Sequence, residues 1–185
     1  MINSPGIQER IINKVYVIAT GKPSKRKILA PFVGLIFVCA TSLFIIIPLW
    51  IENYFNIIKF PGAPYNIIIS LPLVITGSLL MIWTNVMYFR LKATPVPINP
   101  PQKLITNGPF AFSRNPMHGG QMLIMFGIGI YFSSILAVFI FIPFYIIMDV
   151  WMLKNIEEPE LIKRLGSEYI EYRSRTPMFL GRKRK

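Results

Sequence analysis

Three long runs of the chain carry no Asp, Glu, Lys or Arg, and they limit what it can fold into: Ile28–Ile51, Phe60–Phe89 and Asn115–Met148. A helix needs about 20 apolar residues to cross ~30 Å of hydrocarbon. Ile28–Ile51 supplies one crossing, and Ile67–Tyr88 a second, with Pro61, Pro64 and Pro72 crowding its entry. The third run is 34 residues, about 51 Å as one helix. That is too long for one crossing and slightly short for two. The charges between the runs decide. The 20 basic and 8 acidic residues of the 185 form blocks of +5 over residues 1–27, 0 over 52–59, +4 over 90–114 and +3 from Asp149 onward. Basic loops stay cytoplasmic, so an even number of crossings separates the last two. The third run is therefore predicted to be a hairpin, Met117–Phe132 and Ser134–Leu153, turning at Ser133-Ser134.

The expectation is an all-α polytopic helix bundle with about four transmembrane helices, a cytosolic pocket and a C-terminal amphipathic helix. Both termini are expected in the cytosol. The composition agrees: 53% of residues are hydrophobic and 15% charged, against about 25% charged in a soluble domain. A short soluble chain cannot bury that much apolar surface. Cys39 stands alone, which excludes a disulfide scaffold and reads as an inert filler within the first span. The +12 charge would point to nucleic acid in a soluble domain; here the basic residues flank spans.

The apolar stretch starts too late and runs too long for a secretory signal. Ile7, Ile11, Val15 and Ile18 recur at helical spacing against Glu9, Arg10 and Lys14, the pattern of an interfacial amphipathic helix. Lys22–Lys27 is placed to touch anionic head groups. No internal repeat is visible. The chain reads as one membrane domain: a basic interfacial N-terminus (1–27), the first two spans (28–90) and a third part, 91–180, that carries the chemistry.

Within that third part, Pro95, Pro97, Pro100 and Pro101 forbid a continuous helix. Asn107-Gly108-Pro109 is a turn signal, and Pro116 suits the first turn of the next helix. Non-helical backbone beside a membrane must be satisfied by water, protein or ligand. Ile156, Leu161, Leu165 and Tyr169 form one stripe of an amphipathic helix. Glu157-Glu158 stands where the last span leaves the bilayer, a place that disfavours carboxylates unless they are solvated or paired. They read either as a solvated helix start or as a receptor for a cation.

LITNGPFAFSRNPMHGG, followed after an apolar hairpin by EEPELIKRLGSEYIEYRSRTP, resembles the integral membrane methyltransferases: the isoprenylcysteine carboxyl methyltransferase and phospholipid methyltransferase family. The resemblance covers about residues 90–180. It rests on Gly108-Pro109-Phe110, the Arg114–His118 box, Glu157-Glu158, Gly166, Tyr169, Tyr172 and Pro177. It implies transfer of a methyl group from S-adenosylmethionine to a lipophilic acceptor, an isoprenylcysteine carboxylate or a lipid-like small molecule, with no metal and no nucleic acid. Motif by motif, it puts cofactor contacts on Gln102, Lys103, Leu104, Ile105, Gly108, Phe110, Asn115, Pro116, Met117, His118, Glu157 and Glu158. A glutamate suits the cofactor's ammonium, and aromatic faces hold cations. His118 and Glu158 are the candidate catalytic groups. Asn115 replaces the family's usual histidine and His118 its tyrosine. Leu153 stands where the carboxyl methyltransferases carry a substrate-binding arginine, leaving Lys154 as the candidate substrate contact. Two rivals are an NADPH-dependent membrane reductase on a related framework and a non-catalytic membrane scaffold.

Overall fold

The computed structural model describes residues 6–60, 62–97 and 99–179. Pro61 and the basic residues at 182–185 lie outside them. The described residues form six helices and no strand: α1 Ile7–Thr20, α2 Pro23–Tyr54, α3 Tyr65–Arg90, α4 Pro116–Tyr131, α5 Ala137–Leu165 and α6 Ser167–Arg175. Among them α2, α3 and α5 are long and apolar enough to cross a membrane. Their outward faces are apolar: Phe32, Ile36, Ile68, Leu79, Phe144 and Ile147 are all exposed. Water does not tolerate apolar surface on that scale, so the molecule is a membrane protein.

The hairpin is present. Pro116 opens α4 at its first turn, where a missing N–H costs nothing. At the other end, Ser133 takes a left-handed φ of 55° and its N–H, with that of Ser134, folds back on Ile130 and Gly129 carbonyls. With 16 residues, α4 is about 24 Å long. It falls short of the three long helices, where four spans were expected.

The packing of α4 on α3 is the closest in the molecule. Ser70, Gly77 and Thr84, seven apart on α3, are buried, and Gly120 and Gly127 are buried on α4. A Cβ on Gly77 would lie 2.5 Å from the Gly120 carbonyl oxygen, and one on Gly120 would lie 2.8 Å from the Gly77 oxygen. The two backbones nearly touch, as small residues allow between helices in lipid. The two helices run antiparallel, since Gly127 meets Val74 while Gly120 meets Met81. A core of Met125, Ala137, Ile142 and Tyr145, with Phe44 and Ile45, joins α2 to α4 and α5.

The two ends of the bundle differ. At one pole Glu52, fully buried near the end of α2, accepts the N–H of Leu136 at 2.7 Å. A carboxylate is stable against the first turn of a helix, so Glu52 caps α5 rather than cancelling Lys59. At the other pole lie α1, the 91–115 segment, the end of α5 and α6. We call it the basic pole. Here α1 turns Ile12, Asn13, Tyr16 and Ala19 inward and leaves Ile7, Ile11 and Ile18 exposed. Three of the four stripe residues thus face away from the protein, and Val15 is half-buried. Gln8 Nε2 donates to the Asn155 carbonyl at 2.8 Å, and Lys163 lies over the Tyr16 ring.

One expectation is corrected. The stripe Ile156–Tyr169 does not lie on a single helix: Gly166 takes φ +63° and ψ −137° and breaks it into the end of α5 and α6. A glycine enters that backbone region without strain.

Replacing Gly120 with Val forces the α3–α4 seam apart and lowers stability by about 1–3 kcal/mol. Thermal unfolding in detergent reads the loss. Gly34→Ala, on an open face of α2 with nothing near its Cβ, leaves the midpoint unchanged or slightly raised.

Candidate functional site

The basic pole holds a buried pocket between α3, the 94–105 loop, the turn at Gly108–Ala111, the end of α5 and α6. Its loop wall is rich in prolines, which keep the chain extended. Its helix wall begins with a π turn, Leu153–Glu157. Such a turn adds a residue to one helical circuit and re-aims the side chains that follow. It leaves Leu153 buried, Lys154 exposed and Glu157 on the pocket lining.

Acids and bases are sorted tightly here. Arg114 Nη1 donates to Glu158 Oε1, and Arg173 Nη1 donates to Glu158 Oε2 at 3.4 Å. Arg164 grips Glu160 through Nε at 2.8 Å and donates through Nη1 to the Pro101 carbonyl at 2.6 Å. That side chain ties the loop wall to the helix wall, and the free space between them is about 80 Å³. His118 Nδ1–H donates to the buried Asp149 carboxylate, 3.0 Å from each oxygen. Glu157 is different. Among the described residues it makes no hydrogen bond or ion pair, although His118 and Arg164 act on it through space. The Nε of Arg114 is also buried without a partner.

Tyrosines close the site. Tyr172 Oη donates to the Phe110 carbonyl at 2.7 Å, and Tyr88 meets the Phe110 ring edge-on. Burial, reinforced by Glu158, pushes the Tyr169 phenol up to about 12. Burial likewise raises Tyr172, with Tyr169 beside it as the second cause. Both remain neutral donors at physiological pH. Arg114 and Asn115 N–H groups pair with the Pro177 and Met178 carbonyls at 2.9 and 3.2 Å. Asn115 Nδ2 adds a bond to the Met178 carbonyl at 3.2 Å. The chain end thus pins the start of α4.

Of the residues expected from the sequence, Lys103, Leu104, Ile105, Phe110 and Glu157 line the pocket. The others lie elsewhere. Gln102 reaches the Ala19 and Pro100 carbonyls. Gly108 takes φ +59° where a Cβ would strike Met87, so it shapes the turn. Pro116 lines a second, apolar cleft of about 380 Å³ between α3 and α4, beside Trp83, Phe112, Met122 and Phe126. Met117 and Asn115 do not reach the pocket, and both oxygens of Glu158 are engaged by arginines. Sequence reasoning did not single out Tyr88, Arg114, Asp149, Glu160 or Arg164 as site residues. Asp149 had a signal, a carboxylate one residue beyond a charge-free run; it was counted with the tail.

An all-helical membrane protein with a buried pocket of both charge signs at one pole is the class that fold and site define. The family model for phospholipid methyltransferase matches residues 65–168, more than half of the chain. The chain belongs to the phospholipid methyltransferase family, and is by that membership a membrane methyltransferase. The match starts at α3, upstream of the motifs at 104–118, and leaves out α1 and α2. No curated protein and no solved structure matches the chain.

Glu158→Ala strands the buried Arg114 guanidinium and costs about 3–5 kcal/mol, measured by thermal unfolding in detergent. Replacing Arg114 and Glu158 together with Met restores most of the loss. Additive losses in the double variant would refute the coupling.

Proposed function

We propose that the pocket at the basic pole binds S-adenosylmethionine and that the protein transfers its methyl group to a lipid-like acceptor. The observation that carries this reading is a pair of uncommitted groups on one pocket lining: the half-buried Glu157, with no direct partner among the described residues, and the buried Arg114 Nε, with none either. A ligand carrying an ammonium and a carboxylate meets both. Unpaired charged groups are costly to bury, so their retention is explained by a ligand that completes them. The chemistry of the donor set fits the cofactor. When bound, the cofactor supplies a methyl group on a positively charged sulfur, open to in-line displacement by a nucleophile.

The chain's own residues hold and shield. Glu157 accepts hydrogen bonds from the ammonium, and Arg114 Nε donates to the carboxylate. Arg114 is fixed for that task by Glu158, which therefore positions rather than reacts. Tyr88, Phe110, Tyr169 and Tyr172 exclude water and present aromatic faces to positive charge. The present free space holds only several waters, so entry requires the 94–101 loop to swing out as Arg164 releases the Pro101 carbonyl. The apolar cleft beside Pro116 suits the acceptor's hydrocarbon part. His118 faces Asp149 and the Phe37 ring and does not line the cleft, so no proton step is assigned to it. Orientation and dryness supply most of the rate. In this reading α4 completes a fourth crossing and the basic pole faces the cytosol, where the soluble cofactor is found.

Glu157→Gln should weaken S-adenosylmethionine binding about tenfold or more, the scale of a charged hydrogen bond. Calorimetry on detergent-purified protein measures it. Glu171→Gln, on an exposed pair with Arg175, should change binding less than about twofold. Unaltered affinity in Glu157→Gln would overturn the assignment.

A further inference from the structure

A second cavity at the basic pole, about 500 Å³, lies where α2 begins and α3 ends. Five cationic side chains line it, Arg26, Lys27, Arg90, Lys92 and Lys103, and no acid does. Like charges gathered this closely repel. Among the described residues, the side chains of Lys27, Arg90, Lys92 and Lys103 make no ion pair or hydrogen bond. Arg26 is the built part of the site. It is 8% exposed, donates through Nη1 to the Ala19 carbonyl, and keeps a buried Nε with no partner. A buried guanidinium with an unmet donor marks a missing acceptor.

The cavity does not end in polar surroundings. It continues into an apolar groove of about 480 Å³ between α2 and α3, walled by Ala30, Pro31, Gly34 and Phe89, with Lys27 and Lys92 shared at the junction. Nothing lies within 4 Å of where a Gly34 Cβ would stand. A basic basin continuous with an apolar groove, at the ends of two membrane-length helices, matches an amphiphile with an anionic head. Phosphate takes several charge-assisted donors at once, and an acyl chain fills the groove.

We propose that this basin and groove form a binding site for an anionic phospholipid, its phosphate held by Arg26, Lys27, Arg90 and Lys92 and one acyl chain lying along Gly34. The site is separate from the apolar cleft beside Pro116 and does not depend on what the neighbouring pocket holds. The same donors would also take free phosphate; only a lipid uses the groove.

The test is competitive lipid retention. Full-length protein in mild detergent is incubated with equal amounts of phosphatidylglycerol and phosphatidylcholine, and retained lipid is counted by native mass spectrometry. One basic residue near an anionic surface contributes about fivefold. Wild type should therefore prefer phosphatidylglycerol by roughly tenfold or more. Arg26→Gln should reduce that preference several-fold. Lys27→Gln combined with Lys92→Gln, both on exposed side chains, should do the same should Arg26→Gln fail to fold. Gly34→Phe, which blocks the groove and leaves every cation in place, should also lower retention. Equal retention in wild type and all folded variants would overturn the proposal. Displacement of phosphatidylglycerol by millimolar inorganic phosphate, with Gly34→Phe unchanged, would overturn it in favour of a small-anion site.

Discussion

The near-contact of the α3 and α4 backbones sets the geometry of the rest. Gly77 against Gly120, and Gly127 against Val74, allow an approach that no larger residue permits. In lipid there is little hydrophobic gain from bringing two helices together, so close van der Waals contact must do it. The consequence at the basic pole is direct. The seam fixes Pro116 and His118 relative to Tyr88, and thereby fixes the turn at Gly108–Ala111 that carries Phe110. Met87 and Trp83 close on Gly108 from the same face of α3. One pair of helices therefore supports two walls of the pocket and the apolar cleft beside it.

The chain's eight acids are few enough that their uses can be compared one by one. Glu52 caps a helix, Asp149 orients His118, Glu160 holds Arg164, and Glu158 holds Arg114 and Arg173. Each is buried and each has a hydrogen-bond partner within the protein. Glu157 is the exception within this group, and it is the one that lines the pocket beside a partnerless Arg114 Nε. In a chain of net charge +12, a local balance of carboxylate and guanidinium at one pocket contrasts with the all-cationic basin next to it. The two cavities share Pro100, Pro101 and Lys103 yet differ in chemistry: one is lined by side chains of both charge signs, the other by cations alone.

Much of the architecture was legible because membrane helices are written in the absence of charge. The charge-free runs located α2, α3 and the α4–α5 hairpin, and the Ser133-Ser134 turn fell where the length of the third run required it. The family followed from ordered motifs, and Lys103 to Ile105, Phe110 and Glu157 from those motifs share one pocket lining. The rest was hidden for physical reasons. A π turn has no residue code, so the exposure of Lys154 and the inward aim of Glu157 could not be read from spacing. Asp149 fell inside the predicted span Ser134–Leu153 but was weighed only in the charge sum of the tail, because spacing does not reveal that His118 of α4 stands opposite it. Arg114 was read only as part of a motif box, since its pairing with Glu158, 44 residues away, depends on how the start of α4 meets the end of α5; the Arg164–Glu160 pair, four residues apart on one helix, was open to a reading of spacing and was not drawn.

The proline-rich loop explains how irregular backbone can be ordered at the edge of a membrane. Proline has no N–H, so Pro95, Pro97, Pro100 and Pro101 remove four donors that would otherwise need partners. What remains is largely a demand for donors to carbonyls, and long side chains meet it: Gln102 at the Pro100 oxygen and Arg164 at the Pro101 oxygen. Thr94 N–H closes the loop on the Asn99 carbonyl at 2.8 Å. A few bonds therefore hold the segment, and one of them, from Arg164, comes from a residue of the pocket itself. A wall fixed by so few contacts is stiff in its local shape, because proline limits φ, and yet separable from the helix it faces.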